Sequence, residues 1–364
     1  MKWQQLLFIF LIAIKGTAFS QSDKPQNIYL KSGGHFGFIM QHRNTMGHLV
    51  NSHINGFNID LGFSTKGNAL WQHENNFPER GFSFQFINLG NPIQLGNLFA
   101  FAPYYDIPLK SQASAFRLYM RLAFGAAYLT QQFDPILNHK NNVMSVALNG
   151  FVNFKWYYKI KLNNRNHLEL GINFAHASNA KYKAPNLGVN MLTVQTNYSF
   201  SFEKKQHHEV SKIDSSTKAK SKNEICFLAN FGINEIEPPG GKKYLAQVYD
   251  LTYYRNKRNT HKFGLGMEVL LLGANKDLLW IEDSIKLNGV FAYTSIATKF
   301  AYAYVIGRAV LPIEMGIYLR NPYKTDGLFY HRIGLKYFFK NNLITSITLR
   351  THWAVANHFE VGLG

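Results

Sequence analysis

The residues with the clearest chemical meaning are His176 and Ser178, two positions apart, followed by Asn190. A serine hydroxyl is a poor nucleophile until a base takes its proton, and the base works best when a third group fixes its tautomer. His176 can act as the base, and the Asn190 amide oxygen can accept from its other ring nitrogen. An amide orients the imidazolium without neutralising it, an arrangement that Cys-His-Asn proteases show to be workable. Oxyanion donors are expected from the backbone N–H groups near Asn179 and Ala180, helped by the Asn186 side chain. The chemistry is that of a serine esterase.

A bare His-x-Ser arises easily in a chain with 14 histidines, so placement has to carry the argument. The stretch before it alternates: Leu168, Leu170, Ile172 and Phe174 share the even side, and His176 and Ser178 continue that side to the strand's end. In the following strand Leu192, Val194, Thr196, Tyr198, Phe200 and Phe202 define an outer face that includes Asn190. Three polar groups are therefore expected on one outward surface, with 179–188 as the loop joining them.

The elements that must position these groups are strands of period two. Over 143–161 the even positions are almost all apolar (Met144, Val146, Leu148, Val152, Phe154, Trp156, Tyr158, Ile160), while the odd ones include Ser145, Asn149, Asn153, Lys155 and Lys159. Arg117 and Arg121 oppose Phe116, Leu118, Met120, Leu122 and Phe124 in the same way. Charges on one face and unbroken hydrocarbon on the other predict lipid outside and a wet lumen inside, with aromatic clusters at strand ends as interfacial girdles. The expected fold is all-β, a transmembrane antiparallel outer-membrane β-barrel. Eight strands fall before residue 203, at about 28–40, 54–64, 81–88, 95–103, 115–129, 143–161, 166–178 and 189–202. Six to eight more follow, about 14 to 16 in total. An even count suits one wide barrel or two separate ones.

Lys2, the apolar run Leu6–Ile14 and the small residues Ala18 and Ser20 read as an export signal over 1–20. The expected divisions are 21–203 for the catalytic half, a Lys/Ser-rich linker at 204–224, and further strands over 225–364. No apolar run after residue 20 is long enough for a transmembrane helix. The single cysteine, Cys226, excludes an internal disulfide and has no thiol motif around it. The net charge of +18 suits an anionic membrane surface or a phosphorylated glycolipid, and export argues against nucleic acid.

At this point the chain resembles a known family. His176-Ala-Ser178-Asn179-Ala180 followed by Pro185-Asn186-Leu187-Gly188 is similar to the active-site segment of the lipid A 3-O-deacylases, eight-stranded outer-membrane barrels that cleave an ester-linked acyl chain from lipopolysaccharide. The resemblance covers about 28–203 and implies Ser178 as nucleophile, His176 as base and Asn186 near the oxyanion site. The family's third triad member is Glu, where this chain has Asn190. That departure resembles outer-membrane phospholipase A, which has a His-x-Ser-Asn segment and an Asn at this spacing. The phospholipase pattern implies calcium and a homodimer, yet no acidic calcium loop lies near 176–190; the Pro-Asn-x-Gly stretch favours the deacylase, with no cofactor.

The function expected is hydrolysis of an acyl ester of lipid A near the extracellular leaflet, with phospholipid as the alternative substrate and a non-enzymatic porin or structural barrel as the rival from another class. Lys181, Tyr182 and Lys183 are expected to contact lipid A phosphates and sugars. No metal site is expected: His207-His208 reads as a linker pair, Gly33-Gly34 and Gly240-Gly241 as turns, and His352-Trp353 as one lumen and one girdle residue.

Overall fold

The computed structural model describes residues 27–109, 116–203, 222–257, 259–283, 289–324, 327–353 and 355–364. The expected signal segment and most of the linker, with His207 and His208, lie outside them. The chain forms two closed antiparallel barrels of eight strands each. The first comprises β1 (Ile28–Ile39), β2 (Ile54–Ser64), β3 (Glu79–Asn88), β4 (Asn97–Pro108), β5 (Phe116–Leu129), β6 (Leu148–Lys161), β7 (Asn166–Ser178) and β8 (Val189–Ser201), closed by pairing of β1 with β8. The second comprises β9 (Asn223–Glu235), β10 (Lys243–Lys257), β11 (His261–Leu272), β12 (Thr294–Ile306), β13 (Ala309–Arg320), β14 (Phe329–Phe338), β15 (Ile344–His352) and β16 (Val355–Leu363). The additional strands thus close separately instead of widening the first barrel.

Alternation in the sequence becomes inside and outside here. In β6 the odd residues Asn149, Phe151, Asn153, Lys155, Tyr157 and Lys159 are buried in the lumen, and Trp156 and Tyr158 are exposed on the wall. Charged and polar side chains line the lumen and pair across it. In the first barrel the Lys31 ammonium lies 2.9 Å from Glu79, 2.9 Å from Asp106 and 3.1 Å from Glu169, and Arg121 spans Asp106 and Asp60. In the second, Lys299 sits 2.6 Å from both Asp250 and Glu314 and 3.2 Å from Glu268, while Arg332 and Arg350 join Glu268 to Glu360. Buried charges persist only when each is paired, and these networks supply the pairing.

Above the ionic layer, the end of the first barrel that carries Ser178 is apolar. Met46, Leu49, Leu89, Leu95, Val143 and Met144 from the loops pack on Ile54, Leu98, Leu129, Phe151, Val189 and Met191. This corrects two expectations. Residues 143–147 alternate like a strand yet belong to the loop before β6, because Val143 and Met144 are used to fill the barrel mouth. Gly33 and Gly34 make no turn: they lie within β1, paired with Asn58 and Phe57 of β2. Gly240-Gly241 does occupy the β9–β10 turn, His352 is buried beside Tyr318, and Trp353 is exposed.

The barrels touch along their sides. Leu122, Phe124 and Phe154 on the outer wall of β5 and β6 cluster with Tyr304, Ile306 and Leu311 of β12 and β13. Asn259 of the second barrel donates to Glu74 of the first at 2.7 Å. Part of the wall expected to face lipid is thus covered by protein.

Candidate active site

Three side chains converge on the outer wall where β7 and β8 meet their connecting loop. Pairing of His176 with Asn190 across the two strands places them directly opposite one another. Ser178 and His176 are i and i+2 on one strand and so share its outward side. His176 Nε2 lies 3.0 Å from Ser178 Oγ, and its Nδ1 lies 2.6 Å from Asn190 Oδ1.

The hydrogen bonds fix the tautomers. An amide oxygen only accepts, so Nδ1 of His176 carries the proton and Nε2 is left to accept from the serine hydroxyl. Asn190 then donates through Nδ2 to His42 Nδ1 at 3.1 Å, and His42 donates through Nε2 to the Leu187 carbonyl, also at 3.1 Å. The result is a directed chain, Ser178 to His176 to Asn190 to His42 to the loop backbone. His42, in the β1–β2 loop, is a participant that the sequence pattern did not indicate. Its loop position carries no parity, and it lies 148 residues from Asn190 in sequence.

The loop 179–188 supplies the remaining groups. Ala180 and Lys181 adopt left-handed backbone (φ 48° and 64°), which turns the chain sharply after Ser178. The Asn179 side chain donates to Ser145 Oγ at 3.0 Å and to the Lys183 carbonyl at 3.1 Å, holding the loop onto the β5–β6 segment. The Asn179 backbone N–H, expected as an oxyanion donor, is instead given to Asn186 Oδ1 at 2.9 Å. That bond leaves Asn186 Nδ2 at the opposite end of the same amide, buried and with no partner. An unspent buried donor costs about 1–3 kcal/mol, a cost a folded protein tolerates where a ligand will use it. Of the expected oxyanion donors, the Asn179 N–H is thus engaged and the Asn186 side-chain N–H is unspent.

Gly188 closes the arrangement. Its φ is +76°, and a Cβ there would lie 2.9 Å from His176 Cε1 and 3.1 Å from Ser178 Cβ, so any side chain would both strain the backbone and press on the pair. Its N–H donates to the Val143 carbonyl at 3.0 Å. Lys181, Tyr182 and Lys183 are half-buried at the junction with the second barrel. The Lys243 ammonium lies 3.6 Å from the centre of the Tyr182 ring, and the Lys181 carbonyl accepts the Glu235 N–H at 2.8 Å. Among the described residues, the one cluster of three possible carboxylate, imidazole or thiolate ligands is Asp250, Glu268 and Glu314 in the second lumen, already paired with Lys299, Arg332, Lys336 and Arg350.

Comparison with known proteins follows the two-barrel division. No curated protein matches the chain. Solved structures with similar folds include Neisserial surface protein A (10% identity, 48% of this chain and 97% of that one, TM-score 0.32) and the outer membrane enzyme PagL (16%, 47% and 97%, 0.31). A variant of the Rhodopseudomonas blastica porin aligns over 93% of this chain and 97% of its own at 8% identity and a TM-score of 0.19. By sequence, residues 55–199 match the family described as Lipid A 3-O-deacylase (PagL), and residues 223–364 match that described as Acyloxyacyl hydrolase, C-terminal domain. The first barrel therefore belongs to the lipid A 3-O-deacylase family and the second to the acyloxyacyl hydrolase C-terminal domain, which makes the chain an outer-membrane acyl hydrolase.

Proposed function

We propose that the chain removes an ester-linked acyl chain from lipid A through Ser178, His176 and Asn190. The observation that carries this reading is the pair of hydrogen bonds on opposite sides of one imidazole, 3.0 Å to Ser178 and 2.6 Å to Asn190. His176 takes the proton from Ser178 as Oγ attacks the ester carbonyl, and Asn190 holds the ring so that the new imidazolium keeps its orientation. Asn186 Nδ2, buried and unspent, donates to the oxyanion as it forms. Collapse releases the sugar hydroxyl with the proton from His176 and leaves an acyl-serine. Water, deprotonated by the same imidazole, then frees the fatty acid.

The exposed wall below the site suits the hydrocarbon part of the substrate. Leu170, Ile172, Val194, Phe36 and Phe38 form an outward apolar surface on β7, β8 and β1 along which an acyl chain can lie. Lys181, Tyr182 and Lys183 serve the phosphates and sugars, with Lys243 of the second barrel adding a cation beside Tyr182. The loops at this end (40–53, 89–96, 130–147, 179–188) include the longest of the first barrel, 130–147, a feature of the extracellular side of outer-membrane barrels that supports a site at the outer leaflet. The reading needs no cofactor.

A second reading, phospholipase A activity, is favoured by one observation: the third member is the amide Asn190, hydrogen-bonded to His176. Mass spectrometry of purified protein given lipopolysaccharide or phospholipid separates the two. Fatty acid released from lipopolysaccharide without added calcium supports deacylation; release from phospholipid alone, dependent on calcium, supports the phospholipase.

A further inference from the structure

Ser178 stands on the outer side of its strand, yet it is only 3% exposed. Gly150 of β6 is its partner in the ladder, and over Gly150 stands Phe359 of β16: a Cβ on Gly150 would lie 2.7 Å from Phe359 Cζ. The second barrel therefore reaches the strand position beside the serine. It also grips the loop that follows the serine. Glu235, at the end of β9, donates its N–H to the Lys181 carbonyl at 2.8 Å, and its carboxylate oxygen accepts the Ala184 N–H at 3.2 Å and the Gly240 N–H at 2.9 Å. The reach is available because β16 pairs with β9 over just Val361–Leu363 and Phe231–Ala229, so the last residues of β9 are free to bond the first barrel's loop.

From these two contacts we propose that the C-terminal barrel completes the active site: Glu235 is a positioning residue for the loop that carries Asn186, and Phe359 forms one wall of an acyl-binding cleft between the barrels. The other wall is the outward surface of β7 and β8. The charge-assisted bond from the Ala184 N–H and the bond from the Glu235 N–H to the Lys181 carbonyl hold the loop at two points, the bond from Gly240 fixes the carboxylate itself, and Asn186 lies two residues from Ala184. An aromatic ring beside the nucleophile limits the bulk of the acyl chain near its carbonyl. The inference rests on the deacylase reading above and adds the second barrel to it.

Full-length protein in its outer membrane, assayed on lipid A carrying short, long or branched ester-linked chains, tests the proposal, with heat-modifiable migration as the check on folding. Phe359→Ala is expected to shift the preference toward the bulkier chain by roughly tenfold. Glu235→Ala is expected to lower kcat by about tenfold or more with KM little changed, because a displaced oxyanion donor harms the transition state and not ground-state binding. Glu235→Gln, whose amide oxygen still accepts from Ala184, restores most of it. If folded Phe359→Ala and Glu235→Ala keep the unmodified protein's chain preference and kcat, the proposal is overturned while the deacylase reading stands. If the unmodified protein itself releases no fatty acid from lipid A, it is the deacylase reading that fails.

Discussion

The Nδ1 atom of His176 lies 2.6 Å from the Asn190 amide oxygen, across a single rung of the β7–β8 ladder. A carboxylate in that place would both orient the imidazole and offset the charge it gains; the amide does only the first. The geometry asks Asn190 for orientation, and orientation is what its removal should cost.

Asn190→Ala is accordingly expected to lower kcat roughly 10²-fold, the scale of a small misplacement of a reacting group, without loss of the barrel. His42→Ala, which removes the partner of Asn190 Nδ2, should lower it less, since His42 is exposed and water can replace it. Steady-state kinetics on the two variants give the ranking; an equal or larger loss for His42 would contradict the directed chain.

Gly188→Ala tests the fit of the loop against the pair. The added methyl group would meet His176 Cε1 at 2.9 Å on a backbone with φ +76°. A fall in kcat of tenfold or more is expected, with the barrel still folded, because the loop can shift only by displacing His176. Unchanged kinetics would show that the loop closes on the site differently.

Stability of the second barrel should depend on its lumen. Lys299 is fully buried among Asp250, Glu268 and Glu314, and Lys299→Met would leave three carboxylates with fewer counter-charges. Removing one partner of a buried network typically costs about 3–5 kcal/mol, so the midpoint of urea unfolding should fall markedly. An unchanged midpoint would mean that water, rather than ion pairing, satisfies these groups.

Much of this was legible in the sequence because a barrel wall leaves a binary record. The limits of β2 and β7 follow the alternation to the residue, and outward parity brought His176, Ser178 and Asn190 together before any geometry was known. Parity failed where apolar residues serve something other than a wall. Met144 alternates with its neighbours but plugs the barrel mouth. It was silent on His42, held in a loop, and on Asn186, whose amide is poised by a bond to the Asn179 N–H. Contacts between the barrels left no periodic trace either: Phe359 reads as one more wall residue, and Glu235 as the polar end of a strand.

The most direct test of the account is the lipid A profile, read by mass spectrometry, of outer membranes carrying the protein or its Ser178→Ala variant. Loss of one ester-linked acyl chain with the unmodified protein, and none with an equally folded Ser178→Ala barrel, is the predicted result. Identical deacylated profiles from both would contradict Ser178 as the nucleophile, and with it the mechanism built on His176 and Asn190.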